Sequence, residues 1–252
     1  MAKGYIEDND TIVVLCGDTP LVKEETLQSL FKYHLDNEYH TTVLTTRVEN
    51  PTGYGRIIRD ENQDLLKIVE QKDASEEEKL VNEINSGIYC FNGKSLREAL
   101  DKIDNNNAQG EYYLTDTIEI MRSNGLKVGA FDGATIEELM GVNSRVELAK
   151  AEEIMRKRIN TMHMVNGVTI IDVNSTYIES DVQIGNDTIV YPGAMLKGNT
   201  VIGTGCTIGM NSCITNSTIG DDTEIESSTI VDSTVGSNTT VGPYAYLRPK
   251  SN

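Results

Sequence analysis

Two periodicities divide the chain. Up to about residue 165, short apolar runs alternate with helix-spaced patterns. Residues 11–16 (TIVVLC) form a continuous apolar run ending at Gly17-Asp18, the pattern of a buried parallel strand. Residues 23–37 carry Leu27, Leu30, Phe31 and His34 at helical spacing, and residues 41–48 are rich in β-branched residues, which favours a strand. Residues 56–59 and 65–70 flank Asp60-Glu61-Asn62 as a hairpin would, and 75–81 reads as a short helix. A strand over 84–91 is followed by a helix over 95–103 begun by a capping serine. Thr115 is placed to cap a second helix through Arg122. A strand over 127–131 precedes a long helix over 143–161, with Val146, Leu148, Ala149, Ile154, Met155 and Ile159 as its apolar positions. This alternation predicts an α/β fold with a largely parallel sheet.

From about Val168 the period becomes six. Ile178, Ile184, Val190, Leu196, Ile202, Ile208 and Ile214 are six apart; Ile219, Ile225, Ile230, Val235, Val241 and Leu247 continue at steps of five or six. Glycine often follows the aliphatic residue, and small residues or threonine fill much of the rest. Such a repeat predicts a parallel β-helix in which each hexad makes one short face and three faces close a coil. Thirteen inward positions give about four coils. Burying so few aliphatics falls short of the entropy of ordering roughly 70 residues. The coils therefore need support from the preceding domain and from other copies, which predicts an oligomer.

Composition narrows the functional classes. A formal net charge of −17 argues against a nucleic-acid surface, but not against a small phosphorylated ligand neutralised locally by a metal ion or a few basic groups. No run approaches the roughly 18 apolar residues of a membrane span, and the opening MAKGYIEDND has no apolar signal core, so a soluble cytoplasmic protein is expected. Cys16, Cys90, Cys206 and Cys213 form no CxxC pair and read as reduced thiols; His34, His40 and His163 show no metal-ligand spacing.

Several segments together carry a resemblance. LCGDTPLV, PTGYGRIIRD, IVEQKDAS, EINSGIYCFNG, NNNAQGEYYLTD and MGVNSR occur in that order, before a β-helix that reaches YLRPK. Across essentially its whole length the chain resembles the bacterial bifunctional N-acetylglucosamine-1-phosphate uridyltransferase / glucosamine-1-phosphate acetyltransferase family. The resemblance implies a Rossmann-like nucleotidyltransferase domain over residues 1–145, a linker helix over 146–165 and a left-handed parallel β-helix over 166–252, assembled as a homotrimer. It implies uridyl transfer from UTP to N-acetylglucosamine 1-phosphate, giving UDP-N-acetylglucosamine, with acetyl-CoA as co-substrate of the second activity. Asp18 and Asn143 match the family's Mg²⁺ ligands. Cys16 and Gly17 match backbone positions lining the uridine or ribose. Gly55, Glu70 and Asn85 match positions binding the amino sugar and ribose hydroxyls, and Arg248 matches an arginine of the acetyltransferase site. The chemistry suits these residue types: a carboxylate for a hard cation, a residue without Cβ beside a sugar, guanidinium for phosphate.

Relative to the family pattern, no glycine-rich phosphate loop precedes Asp18, and no catalytic histidine follows YLRPK. The expectation is a chain truncated at both ends, without acetyltransferase activity and with little uridyltransferase activity of its own. Two other readings are a glucose-1-phosphate nucleotidyltransferase with a β-helix tail and a non-catalytic regulatory or scaffold subunit. NNNAQGEYYLTD and GVNSR weigh against the first; Asp18, Glu70, Asn85 and Asn143 together weigh against the second.

Overall fold

A computed structural model describes residues 2–249, in which the chain separates into two compact units, residues 1–144 and 145–252. Lys250, the last residue of the YLRPK motif, lies outside the described residues.

In chain order the first unit contains β1 (Thr11–Val14), α1 (Glu24–Asp36), β2 (Thr41–Arg47), β3 (Arg56–Arg59), β4 (Leu65–Val69), β5 (Glu83–Asn92), α2 (Gly93–Leu100), α3 (Asp116–Ser123) and β6 (Val128–Asp132). The sheet order is β4-β3-β5-β2-β6, with β1 also on β5. β5 is paired along both edges. β2 runs antiparallel to it on one side; on the other, β1 takes its C-terminal half and β3 meets its N-terminal end at Arg56–Ile84.

The sheet is not largely parallel, contrary to the expectation from alternation: only the β2–β6 pair is. β1 and β2 do run the same way, as a crossover through α1 requires. However, β5 is inserted antiparallel between them, and a pattern of elements carries no information about such an insertion. The β1 segment is correspondingly no buried parallel strand. It pairs antiparallel with β5 and alternates exposed and half-buried residues, leaving Val13 and Leu15 exposed.

Alternate residues of the central strands face two cores. Val43, Tyr89 and Phe91 pack with Ile57, Ile68, Leu96, Ile118 and Met121 on one face, while Leu44, Ile88 and Cys90 pack with Leu30 and Leu139 on the other. The period of two places neighbours on opposite faces, and both faces are covered. Helix boundaries move by small amounts from the pattern. α2 begins earlier, with the Asn92 side chain accepting from Ser95 N–H; the serine occupies the first turn, not the cap. Thr115 stands before α3 but makes no side-chain cap bond. The predicted helix over 75–81 contracts to a 3-10 turn, Glu78–Leu80.

The second unit opens with α4 (Arg145–Val165) and continues as a parallel β-solenoid of fourteen two- or three-residue strands, from Thr169–Ile170 to Tyr246–Leu247. They stack into three sheets of five, five and four strands. Every stacked aliphatic pair follows the periodicity: Ile178 on Leu196, Leu196 on Ile214, Ile214 on Ile230, Ile230 on Leu247. The first two steps are 18 residues and the third is 16, because five-residue sides replace six-residue ones after Ile214. The core column from Val190 to Ile230 is at most 2% exposed. Turns take left-handed backbone at Asp187, Asn211, Asn216, Asp222 and Asn238 as well as at glycines, and Asn and Asp are the side-chain-bearing residues that tolerate it best.

A second inward column lies two residues before the aliphatic one and was not read from the pattern. Thr188, Thr200, Ser212, Ser217, Thr223 and Ser228 are at most 2% exposed. Each hydroxyl accepts a backbone N–H from the next coil: Cys206 N–H onto Thr188 at 3.1 Å, Ser217 onto Thr200 at 3.4 Å, Ser233 onto Ser217 at 3.1 Å, Ala245 onto Ser228 at 3.1 Å. Each also donates its own proton to a carbonyl, as Thr200 does to Lys197 O at 2.6 Å. The corner N–H groups, which no strand ladder reaches, are thereby satisfied.

α4 packs against the solenoid through the C-terminal part of its apolar pattern, which leaves the first positions uncovered. Val146 and Leu148 are exposed, whereas Ala151, Asn160 and His163 are buried. Ile159 and Met164 pack on the solenoid core, and Asn160 Nδ2 donates to Val173 O (3.0 Å) and Thr176 O (2.9 Å), stitching the helix to the first coil.

Replacing Thr200 by Val keeps the shape and leaves the Ser217 N–H buried without an acceptor. The expected cost is about 1–3 kcal/mol in urea unfolding followed by circular dichroism, and Thr200→Ser, which keeps the hydroxyl, should cost less.

Candidate functional site

The candidate residues of the first unit come together in two adjoining groups. β1 leads into Leu15, Cys16, Gly17 and Asp18, and Thr19 turns back onto the Cys16 carbonyl through its hydroxyl at 3.1 Å. Val142 N–H donates to Asp18 O at 2.8 Å, which lays the segment carrying Asn143 against the segment carrying Asp18. Gly141 lies between the two side chains. A Cβ there would sit 3.3 Å from Asp18 Oδ2 and 3.4 Å from Asn143 Nδ2. The absent Cβ thus leaves a small space flanked by one carboxylate and one amide, both exposed. That donor pair suits Mg²⁺, which takes one or two protein oxygens and completes its shell with water and phosphate; a half-turn of the Asn143 amide presents its oxygen to the same space.

The second group is built on β5 and the β3–β4 hairpin. Asn85 Oδ1 accepts from Gly87 N–H (2.9 Å) and the Tyr89 hydroxyl (3.0 Å), and Asn85 N–H donates to Gly55 O (2.9 Å). A Cβ on Gly55 would stand 3.2 Å from Glu70 Oε1 and 3.4 Å from Asn85 Cβ, so Gly55, Glu70 and Asn85 share one wall. Burial raises the Glu70 carboxyl above its usual range, and Asp73 and Asp116 raise it further. Tyr89 is raised by burial, against the pull of its bond to Asn85. The two groups meet where Cys16 Sγ donates to Gly87 O at 3.4 Å; burial, then Asp18, pushes this thiol up. Ala108 and Gln109 are tied to the segment that follows Glu70: Ala108 N–H donates to Asp73 Oδ1 at 2.9 Å and Lys72 Nζ to the Gln109 side chain.

Sequence reasoning therefore named Cys16, Asp18, Gly55, Glu70, Asn85 and Asn143, and the structure brings them into contact or into neighbouring contacts; Gly17 is exposed between Cys16 and Asp18. It missed Gly87, Tyr89 and Gly141. Gly87 was legible in principle: Asn85-Ser86-Gly87 is an Asx turn, with glycine at φ +79°. Arg248 belongs to the other unit, exposed just after the last strand. Among the described residues no group of three or more His, Cys, Asp or Glu is arranged for a metal. A cavity of about 730 Å³ in the second unit, between α4 and the first strands of the solenoid, contains none of these residues.

The first unit is thus a doubly covered α/β sheet with an exposed carboxylate, Asp18, shortly after its first strand and a neighbouring wall of Gly55, Glu70 and Asn85. The nucleotidyl transferase family profile matches residues 1–136, and the chain belongs to that family. A second profile, the GMPPB C-terminal domain, matches residues 173–251 of the solenoid. The chain is 79% identical over 252 residues to the bifunctional protein GlmU of Clostridioides difficile (strain 630). It is 56% identical over 252 residues to that of Alkaliphilus oremlandii (strain OhILAs), and 53% over 251 residues to that of Geobacillus sp. (strain WCH70). These alignments cover 99–100% of the chain and 55% of each relative, so the chain spans about half the length of the curated relatives it matches.

Gly87→Ala places a Cβ 2.6 Å from Cys16 Sγ in left-handed backbone. A loss of about 1–3 kcal/mol is expected, measured by urea unfolding. Adding Cys16→Ala should recover the steric part and leave the backbone part. For Glu70, a carboxyl raised in the folded state is a charge that folding disfavours. Glu70→Gln should therefore stabilise, by an amount that is small below the ordinary carboxylate range, grows as pH rises through it and levels off above the folded value. Thermal melts between pH 4 and pH 8 would show the opposite slope if Glu70 were held by a cation.

Proposed function

We propose that the chain belongs to a bifunctional enzyme that transfers uridylyl from UTP to N-acetylglucosamine 1-phosphate, and whose solenoid serves acetylation of glucosamine 1-phosphate by acetyl-CoA. The observation that carries this reading is the juxtaposition of Asp18, Gly141 and Asn143 beside the Gly55–Glu70–Asn85 wall, in a chain 79% identical to a bifunctional GlmU.

In this reading Asp18 and Asn143 hold Mg²⁺, which when bound neutralises the phosphate oxygens. The Cys16-Gly17 backbone lines the uridine. Glu70 accepts a sugar hydroxyl, Gly55 lets the backbone approach the sugar, and Asn85 takes a ribose or sugar hydroxyl. The sugar-phosphate oxygen attacks the α-phosphorus of UTP in line; its P–O bond forms as the bond to the β-phosphate bridge breaks, and pyrophosphate leaves. The attacking oxygen is already anionic, so positioning and charge neutralisation outweigh any general base. Arg248 is assigned to phosphate binding in the acetyltransferase site.

A trimer through the solenoid and a cytoplasmic location complete the proposal. One solenoid sheet stacks Tyr177, Met195, Cys213, Thr229 and Tyr246 in a single outward column, and Tyr177, Met195 and Tyr246 are exposed large hydrophobics. A column of that kind suits burial against another copy. No helix among the described residues is long and apolar enough to cross a membrane.

Calorimetric titration of the chain with UDP-N-acetylglucosamine should show binding that requires Mg²⁺, is at least tenfold weaker for UDP-glucose, and is lost in Asp18→Asn. Equal binding of both sugars would overturn the amino-sugar assignment, and metal-independent binding would overturn the role of Asp18. Sedimentation equilibrium at micromolar concentration should give three chains per particle; a monomer mass would remove the trimer.

A further inference from the structure

At the N-terminus of α1, Lys23 stands at the cap position and makes no side-chain cap bond. A carboxylate from far along the chain lies there. Glu138, 2% exposed, receives the Thr26 hydroxyl at 2.5 Å and the Lys23 N–H at 3.4 Å on Oε2. Its Oε1 receives the Thr135 hydroxyl at 3.1 Å and faces Lys23 Nζ at 3.4 Å. Burial pushes the carboxyl up, but these hydrogen bonds and the lysine bring it below its usual range, so it is held as the anion. A helix N-terminus favours such a charge.

The consequence is geometric. Glu138 lies five residues before Asn143, and Lys23 lies five residues after Asp18. Between the two ends of this frame runs the Val142 N–H to Asp18 O bond. The loop from Thr135 to Asn143 and the segment from Asp18 to Thr26 are thus fastened at two points, and the Gly141 space lies beside the second. We propose that Glu138 is a positioning residue that holds Asn143 opposite Asp18, and so sets the geometry of the metal-holding pair. It touches neither metal nor substrate, and it rests on the reading of Asp18 and Asn143 given above. Groups bonded directly to a metal's ligands change its affinity by about 10–100-fold when removed; Glu138 acts one step further back, through the segments that carry the two ligands.

The test uses the whole chain with Mn²⁺ as probe, in the presence of UDP-N-acetylglucosamine, read by electron paramagnetic resonance. Amide exchange at Val142 is followed by NMR at a temperature well below unfolding. Glu138→Ala should raise the Mn²⁺ dissociation constant at least tenfold and speed Val142 exchange at least tenfold, with solenoid amides such as Ile208 unchanged. Glu138→Gln, which keeps an acceptor and loses the charge, should fall between, and it decides the matter if the alanine variant does not fold. A merely structural Glu138 would lower the melting temperature without moving Mn²⁺ affinity in the folded protein, and that result overturns the proposal. Unchanged Val142 exchange overturns it as well. If the unsubstituted chain binds no Mn²⁺, the metal pair itself is refuted and the proposal falls with it, whereas normal binding by both proteins refutes only the role of Glu138.

Discussion

The pairing of β5 along both its edges is the constraint on which the first unit depends. A strand held on two sides cannot slide without breaking both ladders, and a one-residue slip would exchange the faces of Ile88, Tyr89, Cys90 and Phe91 between two different cores. Asn85, Gly87 and Tyr89 sit on that strand. Their positions are therefore fixed by core packing, and the loops that bear Cys16, Gly55 and Glu70 are fixed against them by hydrogen bond and close contact. The candidate site is held in place because its central strand is locked into the core and the Cys16 and Gly55 segments are hydrogen-bonded to it.

The second unit obtains order by repetition. Its aliphatic column supplies the apolar burial, but six-residue sides leave corner N–H groups outside the strand ladders. The buried threonines and serines take those N–H groups, coil by coil. A buried N–H left without an acceptor costs about 1–3 kcal/mol, so a column of hydroxyls is a requirement of the fold and not a filling of spare positions. The same column explains why threonine is frequent in a core that alternates with isoleucine.

What was legible in the sequence follows from which interactions are local. The hexad register predicted every stacked pair from Ile178 to Leu247, because a solenoid contacts only its neighbours and its period maps directly to structure. The elements of the first unit were legible and their directions were not: an apolar run such as TIVV fits parallel and antiparallel pairing equally, and only the long-range insertion of β5 decides. Val146 and Leu148 misled for a similar reason, since a helix's apolar positions do not say which of them a partner covers. The motifs around Asp18 and Asn143 single them out as candidates, and the structure brings their segments together, whereas Glu138 in IEELMG looks like any surface carboxylate. Its burial depends on Lys23 and Thr26, over a hundred residues away.

The charge of the chain bears on how such a site binds. The net charge is −17, and the Glu70 carboxyl is already raised, by burial first and then by Asp73 and Asp116. A nucleotide-sugar diphosphate brought to this surface adds negative charge to negative charge. Two unit charges 4 Å apart near a protein surface interact by about 4 kcal/mol, so a polyphosphate beside Asp18 is disfavoured unless a cation lies between them. On the proposed reading, Asp18 and Asn143 would need only to hold that cation in one place. The proposed reading gives the acidic wall a separate task, since hydroxyls are neutral donors and a carboxylate such as Glu70 is the stronger acceptor for them. Acidity and phosphate chemistry are compatible on this reading because the charges are divided: the metal end of the site meets the phosphates, and the carboxylate end meets the sugar.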